Sequence, residues 1–308
     1  MTRIRKDHWQ RKIAELDPEK DFEEITHIVG DYEFPWEIYQ SLRLALFRTY
    51  AVPSIGRLLY DTGGFNDDVQ KRHDDTAIIL FTLGQEGIDS LDGHAAIRRM
   101  NQMHGSYDIS NDDMRYVLSA FVVTPARWID QYGWRRRTAV EELASVRFWQ
   151  RIGKLMGIAD IPATFREFEE LLDSYEAEHF AFDEKCLAVA NVTLGLFETF
   201  YPRFARKPAN AVLRSLMDDH LLETFGYEKP PAPIVFLSRG GLRLRARFVG
   251  ILPARKTPKK LSDYREIRSY PDGYSVDQLG TFPAGCPVPN GQSPHVQGPQ
   301  ANDAGAGR

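Results

Sequence analysis

A histidine, an arginine and a threonine carry the sharpest chemical options in this sequence. His104 sits in IRRMNQMHGSYDISNDDMRYVL (97–118), and Arg72 and Thr76 sit in KRHDDTAIILFTLG (71–84). Ile97, Met100 and His104 fall at i, i+3 and i+7, so a helix carries them on one face and ends with an imidazole on its apolar side. Arg72 and Thr76 are one helical turn apart and also share a face. A buried imidazole needs a partner. At a helix end the ring can cap carbonyls and favour the dipole, or it can bind a metal. An apolar pocket floored by one imidazole, with a guanidinium nearby, suits a b-type haem, whose flat macrocycle needs an axial nitrogen and cations for its propionates. Residue types alone leave both readings open. Glu176 and His179, a Glu-x-x-His pair, invite a di-iron reading, but such a centre requires a second repeat on a facing helix; His179 stands second to His104 as a haem ligand.

The elements that position these groups are read as helices near 36–50, 67–83, 88–104, 111–124, 138–157, 164–177, 183–200 and 209–225. Ser110 is expected as an N-cap with Asp113 as its reciprocal partner, and Ile109 and Met114 as the staple around them. Pro53, Pro125, Pro162 and Pro202 are placed between helices. PIVFL (233–237) and RFVGIL (247–252) alone have strand flavour, and nothing alternates strand with helix, so the fold class is all-α, a single helical domain. After Gly280 the composition turns to Pro, Gly, Asn, Gln and Ala, which predicts a disordered tail over 281–308. The division expected is a charged segment over 1–30, a main domain over 31–280, and that tail.

The chain has 308 residues, 43% of them hydrophobic, and a formal charge of −4, so it can build one large core and has no global pull toward nucleic acid. Its two cysteines, Cys186 and Cys286, make no disulfide framework and point to a reducing compartment. The opening MTRIRKDHWQRKIAELDPEKDFEE is too charged for a signal peptide, and the longest apolar runs are too short to span a bilayer, so a cytoplasmic protein is expected. No Gly-rich phosphate loop with its lysine, nucleophile-elbow serine, Cys-x-x-Cys pair or c-type haem motif occurs. SRGGLRLRARFVGILPARKTPKK (238–260) holds eight basic residues and no acid. An anionic membrane surface or nucleic acid is one use for it. It lacks a regular amphipathic pattern and interleaved aromatics, and is read instead as a solvated face or a clamp. His73 is expected at the surface, His94 partly exposed, and Trp128, Trp134, Phe148 and Trp149 in the core rather than along a substrate channel.

The order of YAVPSIGRLLYDTGGF (50–65), KRHDDTAIIL (71–80), the stretch 97–135, FWQRIGKLMGIADIP (148–162) and YPDGYSVDQLG (270–280) resembles the MpaB-type oxygenase family, which is related to the latex-clearing rubber oxygenases. The similarity runs from about Glu33 to Gly280 and is greatest to the branch with the Tyr-Pro-x-Gly-Tyr ending. It implies a globin-like helical core around one haem b (iron), with His104 as proximal ligand. Arg72 would brace the haem or its propionates, and Thr76 would present a hydroxyl to the pocket. It further implies O2-dependent cleavage of a C=C bond in a hydrophobic, isoprenoid-like small molecule. A non-enzymatic haem- or lipid-binding module is the second reading. Rubber oxygenases carry a lysine where this chain has Asp75, and an upstream glutamate has no counterpart between Glu37 and Asp61. Polyisoprene cleavage by their mechanism is therefore not expected, and no general base is assigned.

Overall fold

The computed structural model describes residues 4–62 and 68–280. The expected tail, with Cys286, lies outside the described residues. Among those residues every element is helical: α1 His8–Ala14, α2 Phe22–Ile28, a π turn Val29–Glu33, α3 Pro35–Thr49, α4 Pro53–Asp61, α5 Val69–Gln85, α6 Leu91–His104, α7 Asn111–Tyr132, α8 Ala139–Leu155, α9 Phe165–His179, α10 Glu184–Thr199, α11 Arg206–Ser215, α12 Asp219–Thr224 and α13 Ala232–Ile251.

Local chemistry sets many of the boundaries. Pro35 and Pro53 open α3 and α4 at first-turn positions, where a missing N–H costs nothing. Side chains of Asp68, Ser90, Thr164 and Asp183 accept backbone N–H bonds at the starts of α5, α6, α9 and α10. Thr138 and Glu141 close a reciprocal capping box on α8. Ser110 caps α7 as the sequence indicates, its Oγ accepting from Asp113 N at 3.0 Å. The Asp113 carboxylate does not return to the Ser110 backbone; it accepts from the Ser110, Ser54 and Tyr175 hydroxyls.

Two sequence expectations fail here. Pro125 lies inside α7, not after it. Val122, Val123, Ala126 and Ile129, on both sides of the proline, are buried. That burial, roughly 1.5–3 kcal/mol for each large side chain, outweighs the ~3 kcal/mol an interior proline costs. The two segments with strand flavour, 233–237 and 247–252, fall at the two ends of the helix α13, with Leu252 its C-cap; among the described residues no strand exists for either to pair with.

Helix α7 is the axis of the molecule. It packs along α3 on one side and α9 and α8 on others, burying Tyr116, Val122 and Val123 against Val146, Phe168 and Leu172. A second core joins Phe47 and Tyr50 to Val189, Leu194, Leu221 and Phe225. A third joins Ile78 and Leu83 of α5, Ile97 of α6, Phe148 and Ile152 of α8, and Leu279 from the chain's last described turn. At the N-terminus Ile13, Ile25 and Ile28 bury against Ala144 of α8. His104, Arg72 and Thr76 lie on a cavity walled largely by residues of the first and third cores.

Candidate functional site

Helices α3 to α8 leave between them a cavity of about 280 Å³. Its walls are mostly aliphatic and aromatic: Ile79 and Leu83 from α5, Met100 and Met103 from α6, Val117 and Phe121 from α7, Trp149 and Ile152 from α8. Polar groups stand among them, the carboxylates of Asp75, Asp108 and Asp113 included, and all three residues picked out from sequence are there. His104 ends α6, and Arg72 and Thr76 face the same space from α5.

The imidazole of His104 is partnerless on one side: Nδ1 is buried and meets no hydrogen-bond partner among the described residues. Burial lowers its pKa, and the Arg72 guanidinium lowers it further, so the ring is held neutral. Burial also lowers the pKa of Arg72, whose Nη1 reaches the Thr62 hydroxyl at 3.5 Å. The Thr76 hydroxyl donates to the Arg72 carbonyl at 3.0 Å, which leaves its oxygen lone pairs, rather than its proton, for the cavity.

Asp75, at the position where rubber oxygenases carry lysine, is a buried member of the same wall. Its Oδ2 accepts from Lys71 Nζ at 2.7 Å and from the Gly280 backbone N at 2.9 Å, and its Oδ1 takes a very short bond from the Tyr270 hydroxyl. Asp74 beside it accepts from the backbone N of Arg268 and Ser269, both at 2.9 Å, from Ser269 Oγ at 2.7 Å, and from Gln70 Nε2 at 2.8 Å. Arg99 Nε donates to the Leu279 carbonyl. Two adjacent aspartates thus tie a C-terminal strap, residues 264–280, across α5 and α6. Gly280 ends the strap on the cavity wall with φ of 87°, where an added Cβ would collide with the Met103 sulfur.

Several expectations are corrected. His73 is buried, not at the surface. Its Nδ1 lies 2.9 Å from Asp74 Oδ1, and its ring is packed among Tyr39, Phe197 and Phe200. The face of α5 opposite the cavity is covered by α3 and α10, which a 100° turn away from Arg72 did not reveal. Trp149 lines the cavity, its ring stacked on Phe121 at 5.2 Å, while Trp128 and Phe148 are core residues as expected. Glu176 and His179 are spent structurally. Glu176 takes a bidentate pair from Arg48 and a bond from the Tyr116 hydroxyl at 3.2 Å; His179 stacks on Tyr175 at 3.9 Å. Glu24 and His27 have the same Glu-x-x-His spacing, passed over in the sequence, but His27 pairs with Asp31. No cluster of three metal-ligating side chains occurs among the described residues, so a di-iron centre has no support. The basic stretch 238–260 is partly the clamp expected of it. Arg245 reaches the buried Glu37 at 2.5 Å, and Arg239 reaches the Ser215 carbonyl at 3.1 Å.

What sequence reasoning missed is the apolar lining and the strap. The signal for the strap was present as two neighbouring acids, Asp74 and Asp75, directly before an apolar run inside one helix. Buried carboxylates must be bonded, and besides the local Gln70 and Lys71 their donors come from 194 to 205 residues downstream.

The description "ER-bound oxygenase mpaB/B′/Rubber oxygenase, catalytic domain" belongs to the family whose model matches residues 33–249. The ER-bound oxygenase mpaB′ of Penicillium brevicompactum is 27% identical over 239 residues, 72% of this chain and 56% of that protein. The ER-bound oxygenase mpaB of the same organism is 31% identical over 156 residues, 49% of this chain and 40% of that protein. Its namesake in Penicillium roqueforti is 30% identical over 156 residues, 49% of this chain and 52% of that protein. The chain spans about half the length of the curated relatives it matches. No described helix is long and apolar enough to cross a membrane. His104, Arg72 and Thr76 all fall inside the matched range, whereas the strap lies beyond it. With that family's model matched over residues 33–249, most of its length, this chain belongs to the family of MpaB-type and rubber oxygenase catalytic domains.

Proposed function

We propose that this chain is a haem b-dependent oxygenase that uses O2 to split a C=C bond in a hydrophobic, isoprenoid-like small molecule. The observation that carries the reading is the cavity of an oxygenase-family chain whose wall, largely aliphatic and aromatic, holds a single, partly unpartnered imidazole with Arg72 beside it. The donor set fits a haem. Neutral imidazole is the form that binds metal, Arg72 supplies the cation a propionate needs, and the aliphatic and aromatic walls match a flat apolar macrocycle. When bound, a haem supplies the iron chemistry that activates O2.

The chain's own residues do the rest. His104, at the end of α6, would hold the haem iron through its imidazole. Arg72 would brace the cofactor's edge; burial first, and the Arg72 charge second, lower the pKa of the imidazole. Thr76 offers an oxygen acceptor to whatever shares the pocket. Phe121, Trp149, Val117 and the methionines exclude water and hold an alkene by dispersion and burial, not by polar recognition. The two buried carboxylates on the wall are engaged. Asp75 accepts from Lys71, Tyr270 and Gly280, and Asp113 accepts from Ser54, Ser110 and Tyr175. Neither of these two is free as a general base; Asp108, an exposed residue, is the third carboxylate that lines the cavity.

Hemin reconstitution followed by a visible spectrum tests the cofactor. A Soret band is expected in wild type and in His179→Ala and is lost in His104→Ala; full haem retention by His104→Ala overturns the assignment. Oxygen uptake with prenylated compounds and terpenoids then separates an oxygenase from a carrier: haem binding without O2 consumption across that panel favours the non-enzymatic module.

A further inference from the structure

Helix α13 presents an apolar stripe to solvent. Phe236, Leu237, Leu244, Phe248 and Ile251 are 77%, 69%, 67%, 58% and 73% exposed. Positions 237, 244, 248 and 251 are spaced by seven, four and three residues, so they line one helical face, with Phe236 at its margin; this corrects the expectation that the segment has no regular helical stripe. Five large side chains so exposed on one helix are more than the scattered surface hydrophobics of an ordinary monomer, and a contiguous patch of this kind marks an interaction surface.

The charge beside the stripe is of one sign. Arg243 and Arg247, one turn apart along its edge, are exposed, and Arg255 and Lys256 follow the helix end, also exposed. Among the described residues no ion pair engages any of the four, in contrast to Arg245, which the buried Glu37 holds on the opposite side of the helix. The helix therefore divides its arginines: Arg239 and Arg245 fasten it to the body, and Arg243 and Arg247 face out with the apolar residues.

We infer that the outer face of α13 docks on an anionic lipid bilayer surface. A row of Phe, Leu and Ile with arginines along its margin is the composition of a helix lying in the membrane interface, its apolar side among the acyl chains and its cations at the headgroups. Two other occupants fit less well. A second copy meeting this face through a two-fold axis would set Arg243 and Arg247 against their own counterparts, a like-charge contact that no acid on α13 offsets. The chain's own residues 281–308 contain one acid, Asp303, and one aromatic, Phe282, too few to match either the charge or the area. The docking does not depend on the haem reading; it rests on α13 alone.

The test is co-sedimentation of the full chain with phosphatidylcholine vesicles prepared with and without phosphatidylserine. Wild type is expected to pellet with the serine-containing vesicles and to be released by salt. Arg243→Gln/Arg247→Gln should bind those vesicles roughly 30-fold more weakly, from about 1 kcal/mol for each cation near an anionic surface. Phe236→Ser/Phe248→Ser should lose sedimentation while keeping the wild-type far-UV circular dichroism and melting temperature, both residues being outside the core. Wild type remaining in the supernatant with both vesicle types overturns the inference, as does wild-type sedimentation of both variants. A lipid-free dimer mass that Phe248→Ser converts to monomer also overturns it and assigns the face to self-association.

Discussion

The cavity around His104 and the ionic cluster around Glu176 sit against different faces of α7 and use the same kinds of residue to opposite ends. In the cluster, Arg48 joins Glu176 and Asp218, Tyr116 donates to Glu176, and His179 lies flat on Tyr175. Opposite charges meet, and the cost of burying each is offset by a partner. In the cavity, Val117 and Phe121 bring only hydrocarbon, and the His104 ring is left with a buried nitrogen that nothing in the described fold engages. A buried polar group that is satisfied belongs to the fold. One that is not, on the wall of a void, offers a bonding atom to whatever enters.

The comparison breaks if the two regions respond alike to truncation. His104→Ala should abolish the Soret band of hemin-reconstituted protein outright while shifting the melting temperature of the haem-free chain by little, because it removes an unsatisfied group. Glu176→Ala should do the reverse. Losing one partner of a buried pair costs about 3–5 kcal/mol, towards the lower end here because Asp218 stays with Arg48; the haem spectrum of the fraction that remains folded should be unchanged. Urea unfolding measures the second effect and absorbance the first. Loss of the Soret band in Glu176→Ala that is still folded, or a multi-kcal/mol destabilisation in haem-free His104→Ala, would show that the two regions are one network.

How much of this was legible in the sequence follows from the range of the forces involved. Helices α3, α5, α6, α8, α9 and α10 lie within a few residues of their expected bounds because capping and 3.6-residue periodicity are local. His104, Arg72 and Thr76 could be placed on their faces for the same reason, and they converge on one cavity. Pro125 misled because its local penalty is outweighed by burial against α3 and α9, which sequence proximity does not reveal. His73 misled because solvation of a helix face depends on what covers it, here Phe197 and Phe200 from more than 120 residues away. Asp75 stood out only as a departure from the rubber oxygenase pattern. Its work, holding a strap that arrives at Tyr270 and Gly280, is a contact between distant segments.

The strap sharpens the comparison, since it brings satisfied carboxylates to the edge of the unsatisfied site. Tyr270→Phe removes one donor from a buried carboxylate that keeps Lys71 and Gly280 N, so a loss of about 1.5–3 kcal/mol is expected, the range for a hydrogen bond to a charged group. If the strap is part of the cavity wall, the same variant should also speed haem loss from the reconstituted protein, read by transfer to apomyoglobin. An unchanged transfer rate at reduced stability would make the strap a brace and not a wall.

The smallest expected effect concerns Asp74, and its sign can be worked out. Burial raises the pKa of this carboxyl, but bonds from His73, Ser269 and the backbone of Arg268 and Ser269 outweigh it and hold the value below the ordinary range. The unfolded chain therefore takes up the proton first as pH falls. The stability Asp74 contributes is complete above the unfolded value of about 4 and is lost as pH drops through the lower folded value. His73, whose pKa burial lowers, works on a different window: the unfolded ring begins to protonate from about pH 6.5 downward, which erodes stability before Asp74 titrates. Asp74→Asn disturbs that ring as well, so only the difference in slope below about pH 4 isolates the carboxylate. In that window the melting temperature of wild type should fall more steeply than that of Asp74→Asn, the two curves converging as the wild-type carboxyl is neutralised. Parallel curves there would mean that the strap is held by Asp75 alone and that the second aspartate serves only to keep His73 in place.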